Sequence, residues 1–291
     1  MRLVLHLGAH GTDGGQIATW IARNREGFEQ QGVAVPPPRL FLSSLSEALD
    51  KGRNLDPESR EEALLRGLGA SGQRRWMVVS APGLLGPASG VLAPEGFYVR
   101  DVARRLHGLH SLFPRCAITL LLAVRRPSGI IPALLPDDPD DQAEALTALD
   151  GEALPWARLV ASMRRHLPGA RVVIWQHEDF GRVWPRVLAE LTGPGRGLPP
   201  VGLMEFAAAD LSAEARLRVG RYLAANPPAG AGHLAQICEA FGRRYGRTTT
   251  TGTEALTPLP GWMRQHLQRL DGGQATEWAD AAGQAGVLAL T

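Results

Sequence analysis

The sequence predicts an α/β protein, a central parallel sheet flanked by helices, with a mainly helical C-terminal extension. Three observations carry that prediction. The chain opens on an apolar strand pattern, a glycine-rich turn and a helix start. Strand and helix patterns then alternate to about residue 191. The run Ala117-Ile118-Thr119-Leu120-Leu121-Leu122-Ala123-Val124 is apolar almost throughout, as befits a central parallel strand covered on both faces.

Leu3-Val4-Leu5 begins the first strand, and His6-Leu7-Gly8-Ala9-His10-Gly11-Thr12-Asp13-Gly14-Gly15-Gln16 turns it into a helix. Turns of this order make phosphate sites, because tightly wound backbone presents N–H groups and the following helix adds its positive end. Such a loop ordinarily also carries a lysine. The only lysine in this chain is Lys51, and the loop has Gly11 and the acidic Asp13 instead.

Ile17, Trp20, Ile21 and Phe28 recur near helical spacing and predict the first helix, which Gly32 ends. Val33-Ala34-Val35 is the second strand, and Pro36-Pro37-Pro38 predicts an extended exit. Helical patterns follow at Leu42 to Leu49 and at Pro57 to Leu68, the latter with Asp56 as N-cap. Arg75 to Ser80 is the third strand, ended by Ala81-Pro82-Gly83, and a helix is expected from about Phe97 to Phe113. The fourth strand, 117–124, runs into Arg125-Arg126-Pro127, which points charge toward the carboxyl-edge crevice where such sheets bind ligands.

Pro132, Pro136 and the acidic run Asp137 to Asp141 predict a loop. A helix from about Trp156 to His166 leads to the fifth strand, Arg171 to Trp175, and a further helix is expected from Val183 to Leu191. The Gly/Pro-rich stretch Gly193 to Gly202 divides a core, 1–192, from an extension, 193–291, expected to pack on it. Helices are expected there at Ala213 to Ala224, His233 to Tyr245 and Trp262 to Leu270, and Thr248 to Thr253 is low in complexity.

Composition narrows the function classes. The 291 residues are 44% hydrophobic and 21% charged, values of a folded globular chain, and the net charge is +2 with arginines scattered in pairs. Nothing there argues for nucleic-acid binding. No run of about 18 apolar residues predicts a membrane span, and the N-terminus lacks a signal-peptide pattern, so a cytoplasmic location is expected. Cys116 and Cys238 have no metal-type spacing and read as reduced, packed thiols. No metal is expected, neither at His107/His110 nor at His233/Cys238. His10 reads either as a general base for an acceptor hydroxyl or as a strand-end histidine hydrogen-bonded to backbone. Arg125 reads either as an anion contact or as half of a structural ion pair.

The residues also resemble a family, the bacterial sulfotransferases that use 3′-phosphoadenosine 5′-phosphosulfate (PAPS), a branch of the P-loop NTPase-like fold. Their H-x-G-x-H-K-T-G-T-T signature is similar to His6-Leu7-Gly8-Ala9-His10-Gly11-Thr12-Asp13-Gly14-Gly15, followed here by Asn24-Arg25, Phe28, Gly32 and Pro36. Arg125 resembles the family's 3′-phosphate arginine, and His177-Glu178-Asp179-Phe180 its Y-E-D-L segment. The resemblance spans about residues 1–191. It implies a PAPS site formed by Gly8, His10, Gly11, Thr12, Gly14, Gly15 and Arg125, and a small-molecule or glycan acceptor.

The departures from the family lie at the chemistry. Gly11 stands where the family has its phosphosulfate lysine, Asp13 where it has a loop glycine, and Gly14 and Gly15 where it has two hydroxyl residues. Ala133 replaces a 3′-phosphate serine and Pro82 a glutamate. A charge-assisted hydrogen bond contributes about 1.5–3 kcal/mol, so these losses predict weakened PAPS binding and a higher barrier for the leaving phosphate. The sequence-based expectation is a sulfotransferase-like protein whose sulfuryl transfer to a hydroxyl or amine is reduced or lost. The alternatives are an active enzyme recruiting Arg23 or Arg126 for the missing lysine, and a non-enzymatic protein binding another ligand or a protein partner.

Overall fold

The computed structural model describes residues 1–12, 15–51, 56–70, 75–87, 90–93, 96–98, 101–135, 141, 156–247 and 260–291. Its centre is a six-stranded, all-parallel sheet. In chain order the strands are β1 (Arg2–His6), β2 (Val33–Ala34), β3 (Trp76–Ser80), β6 (Ala117–Val124), β7 (Arg171–Gln176) and β8 (Val287–Leu290), with a small antiparallel pair, β4 (Leu92–Ala93) and β5 (Gly96–Phe97), outside the sheet. The spatial order is β2-β3-β1-β6-β7-β8.

Strand alternation divides the core between two faces. Leu3 and Leu5 of β1, with Met77, Val79, Leu120, Leu122, Val172 and Ile174, pack against α3 (Pro38–Lys51), α4 (Pro57–Gly67), α5 (Val102–Leu112) and α7 (Trp156–His166). Val4, Val78, Leu121, Ala123, Val173 and Trp175 point the other way, against α1 (Gln16–Arg23), α2 (Arg25–Gln30) and α8 (Phe180–Thr192). Each fully buried aliphatic side chain contributes about 1.5–3 kcal/mol, and with both faces covered the inner strands can be apolar throughout.

The C-terminal part is helical and reaches both faces. Helices α9 (Leu203–Ala207), α10 (Ala213–Ala225) and α11 (Ala231–Tyr245) join the α1/α8 side, whereas Met263, Leu267 and Leu270 of α12 (Gly261–Ala282) join the opposite core. The chain then returns to the sheet as β8, parallel to β7, with Val172 opposite Val287 and Trp175 opposite Leu290. No described helix is long and apolar enough to cross a membrane.

Several expected elements differ in extent. The first helix is two helices, because Asn24 interrupts it and turns its amide to the Trp20 and Val201 carbonyls (2.9 and 2.8 Å). Pro36 and Pro37 lie outside any helix or strand, but Pro38 is the first residue of α3, where its missing N–H costs nothing. Helix α5 starts at Val102, not near Phe97, which belongs to β5. Helix α12 continues beyond Leu270 through Gly272-Gly273 to Ala282, held by packing that outweighs the glycine cost. Asp56 caps α4 as expected, accepting from the Glu58 and Ser59 amides. Residues 136–140 of the expected loop and the segment Thr248 to Thr253 lie outside the described residues.

Candidate functional site

The sheet order fixes where a site belongs. The chain leaves β1 toward β2 and leaves β6 toward β7, so the two exits diverge between neighbouring strands and open a crevice at their carboxyl ends. The β1–α1 loop and Arg125 to Ile130 border it.

The loop is wound through glycines. Gly8, Gly11 and Gly15 have φ of +64°, +75° and +80°, a region that side chains disfavour. A Cβ at Gly8 would meet Cβ of Pro82 at an ordinary contact distance of 3.4 Å, so its positive φ and not lack of space calls for glycine there. Pro82 begins a short 3₁₀ turn (Pro82–Leu85) at the end of β3. Gly15 is the N-cap of α1 and supplies no side-chain acceptor.

The loop then closes on itself. The Thr12 hydroxyl donates to the Ala9 carbonyl (2.7 Å) and accepts from the Ala9 amide (3.0 Å), while the Thr12 amide donates to the same carbonyl (3.1 Å). The His10 amide donates to the hydroxyl of Tyr98 (2.9 Å), whose oxygen also lies 2.9 Å from His10 Nδ1. Three loop amides that could face an anion are therefore taken by protein groups.

Tyr98 is a residue that sequence reasoning missed. It is 1% exposed, follows β5, and has φ of +57°, the one non-glycine in the left-handed region among the described residues. Burial raises its phenol to about 12, against the opposing hydrogen bond from the His10 amide. The phenolic oxygen accepts that amide, and the direction of its contact with Nδ1 follows the tautomer of the neutral imidazole. Burial lowers the imidazole pKa and favours that neutral form.

Arg125 is 7% exposed and donates through Nη1 to the Gly11 carbonyl. The Arg125 carbonyl accepts from Trp156 Nε1 (3.0 Å). Its side chain runs over Gly129, where a Cβ would stand 2.7 Å from Nε. Burial lowers the guanidinium pKa while Glu178 opposes the shift. The guanidinium stays charged.

His6 is wholly buried. Its Nδ1 meets the Ser80 hydroxyl (2.9 Å) of the residue paired with it in register, and its ring stacks on Trp175. The His177–Asp179 stretch is a 3₁₀ turn at the end of β7, in which Glu178 accepts from the Arg126 amide (2.9 Å) and Asp179 pairs with Arg182 (3.1 Å). Arg23, a candidate replacement for the loop lysine, is bound to Glu205 of α9 (2.5 Å).

A second feature of the crevice wall also escapes the sequence. Asp271 of α12 accepts from both the amide (2.9 Å) and the hydroxyl of Ser128 in α6 (Pro127–Ile130). The C-terminal part is thereby tied to the turn that carries Arg125.

Of the residues implied as a PAPS site, the fold brings together Gly8, His10, Gly11, Thr12, Gly15 and Arg125, whereas Gly14 lies outside the described residues, as does Asp13. Among the described residues no three His, Cys, Asp or Glu side chains converge as a metal site requires. Set against protein-family models, curated proteins and solved structures, the chain matches none.

Proposed function

We propose that the protein is sulfotransferase-like and that sulfuryl transfer from PAPS to a hydroxyl or amine acceptor is reduced or lost in it. The observation that carries this reading is the hydrogen bond from the His10 amide to Tyr98. A phosphosulfate oxygen would need the loop amides, and here a phenol, a threonine hydroxyl and a carbonyl hold three of them. Arg125 spends Nη1 on the Gly11 carbonyl, and no lysine is present in the loop to supply the missing charge. The residues as arranged do not fit the 5′-phosphosulfate, so no transfer step is assigned to them. In favour of the sulfotransferase relationship stand the loop's place at the switch point and the arginine closing β6. The internal closure also favours a second reading, a non-enzymatic protein that uses the fold for another ligand or a protein partner.

Calorimetric titration with 3′-phosphoadenosine 5′-phosphate tests the proposal. The expected result is a Kd no tighter than about 1 mM, equivalent to about −4 kcal/mol. Micromolar binding abolished by Arg125→Ala would instead establish a live donor site. A variant combining Gly11→Lys, Asp13→Gly and Tyr98→Phe restores the missing cation and frees the His10 amide, at a strain cost of about 1–2 kcal/mol for lysine at a positive φ. It is expected to gain affinity over the parent. No gain in a folded variant would remove the sulfotransferase relationship and leave the second reading.

A further inference from the structure

The amino edge of the sheet, opposite the loop just described, is rimmed by arginine. Arg2 opens β1, Arg75 immediately precedes β3, Arg115 stands just before β6 and Arg171 opens β7. Carboxylates from the flanking helices neutralise two of these. Glu58, Glu61 and Glu62 of α4 hold Arg115 at 3.0, 2.7 and 3.3 Å, and Glu190 of α8 pairs with Arg171. Arg2 and Arg75 have no carboxylate partner among the described residues, nor does Arg196, which arrives at the same place from the linker after α8.

Two of the three, Arg2 and Arg196, gather around one aromatic ring, and Arg75 lines the same place. Arg2 and Trp76 are register partners of β1 and β3, and the Arg2 guanidinium lies 5.3 Å from the indole centre. The Arg196 guanidinium lies 4.9 Å from the same ring. Gly193 makes that approach possible, because a Cβ there would stand 2.5 Å from the indole. Trp76 is itself buried and donates Nε1 to the Leu191 carbonyl (3.1 Å), which fixes the ring. Arg2, Arg75, Trp76, Arg115 and Arg196 line a shallow cleft of about 500 Å³ that is widely open to solvent.

Like charges brought together without a counter-charge repel, and cation–π contact offsets only part of that repulsion. An anion from solution removes the rest. Guanidinium forks match the paired oxygens of phosphate, and several of them around one cleft favour a ligand with several anionic oxygens over a single carboxylate. We propose that this cleft binds a diphosphate group through Arg2, Arg75 and Arg196, at a site separate from the β1–α1 loop.

Calorimetry at low ionic strength on the whole chain, with inorganic pyrophosphate and with ADP as probes, tests the proposal. One-site binding of pyrophosphate is expected, weakened at least about tenfold by Arg2→Ala and by Arg196→Ala. Arg171→Ala removes the same net charge from the same rim at a paired position and is expected to change affinity less than about threefold. Arg196→Lys keeps the charge without the fork and is expected to fall between, which preserves the test should the alanine variant fail to fold. ADP binding as tightly as pyrophosphate assigns the site to the diphosphate itself, and tighter ADP binding assigns it to a diphosphate carried on a nucleoside. No saturable binding of either probe overturns the proposal. So does an Arg171→Ala loss as large as that of Arg196→Ala, since net charge alone would then account for the affinity.

Discussion

One hydroxyl, that of Tyr98, lies 2.9 Å from both the backbone nitrogen and the Nδ1 of His10, so it holds main chain and side chain of the loop together. Tyr98→Phe keeps the ring and removes both contacts, leaving the His10 amide without that acceptor. The expected cost is about 1–3 kcal/mol of stability, read from the shift in urea midpoint. The same variant should lose the phenolate absorbance phase near pH 12. Because the folded pKa lies above the ordinary phenol value, the stabilisation is complete below pH 10 and lost as pH rises toward about 12. The parent should show that alkaline decline and the Phe variant should lack it.

Acid acts on the other partner. Burial holds the His10 pKa below its ordinary value of 6.5, so over that interval the unfolded chain binds the extra proton. Stability therefore rises with pH there, is fully present above 6.5, and is lost as pH falls through the folded value. His266 behaves in the same sense, lowered by burial and then by Arg269. Urea titrations across this range should show a positive slope that His10→Ala reduces and that His10→Ala with His266→Ala reduces further. An unchanged slope in the double variant would show that both imidazoles are not held neutral by the fold.

The parts of this arrangement that depend on local pattern are legible in the sequence. The β1 strand, the glycine turn, the Asp56 cap and the apolar β6 follow from periodicity and from residues with special backbone or hydrogen-bonding roles. Tyr98 is not legible, because Phe97-Tyr98 merges into the apolar spacing of α5 and a tyrosine does not signal a left-handed turn. Asp271 is equally hidden. A carboxylate on a surface helix reads as solvated unless its partner, Ser128 in a distant segment, is known. Strand β8 has four residues after a long helix and is defined by its pairing with β7, a long-range contact that sequence spacing does not encode.

Arg125 depends on a glycine four residues on. Adding a methyl at Gly129 would place Cβ 2.7 Å from Arg125 Nε, inside contact distance, so the guanidinium must leave its track to the Gly11 carbonyl. Gly129→Ala is expected to cost about 1–3 kcal/mol through overpacking and to loosen the loop. Amide exchange at Gly11 and Thr12 should accelerate in the variant while the β6 amides stay protected. Unchanged loop exchange would mean that Arg125 does not restrain the loop.

The Asp271–Ser128 contact joins the C-terminal part to the crevice wall, and its loss should be felt at the sheet edge. In Asp271→Ala both acceptor oxygens are removed, so the Ser128 amide and hydroxyl lose these hydrogen bonds. Hydrogen bonds to charged groups contribute about 1.5–3 kcal/mol each, and a loss of that order is expected in denaturant stability. Helix α12 leads directly into β8, so a loosened α12 weakens the strand that covers the β7 edge. Hydrogen exchange should therefore rise across 261–290 while β1 and β6 remain protected. Exposing the β7 edge also invites strand pairing between molecules, so the variant should aggregate sooner on heating. If protection at 287–290 is unchanged in the folded variant, β8 is held by its pairing with β7 alone and the Asp271 contact serves only the turn at Ser128.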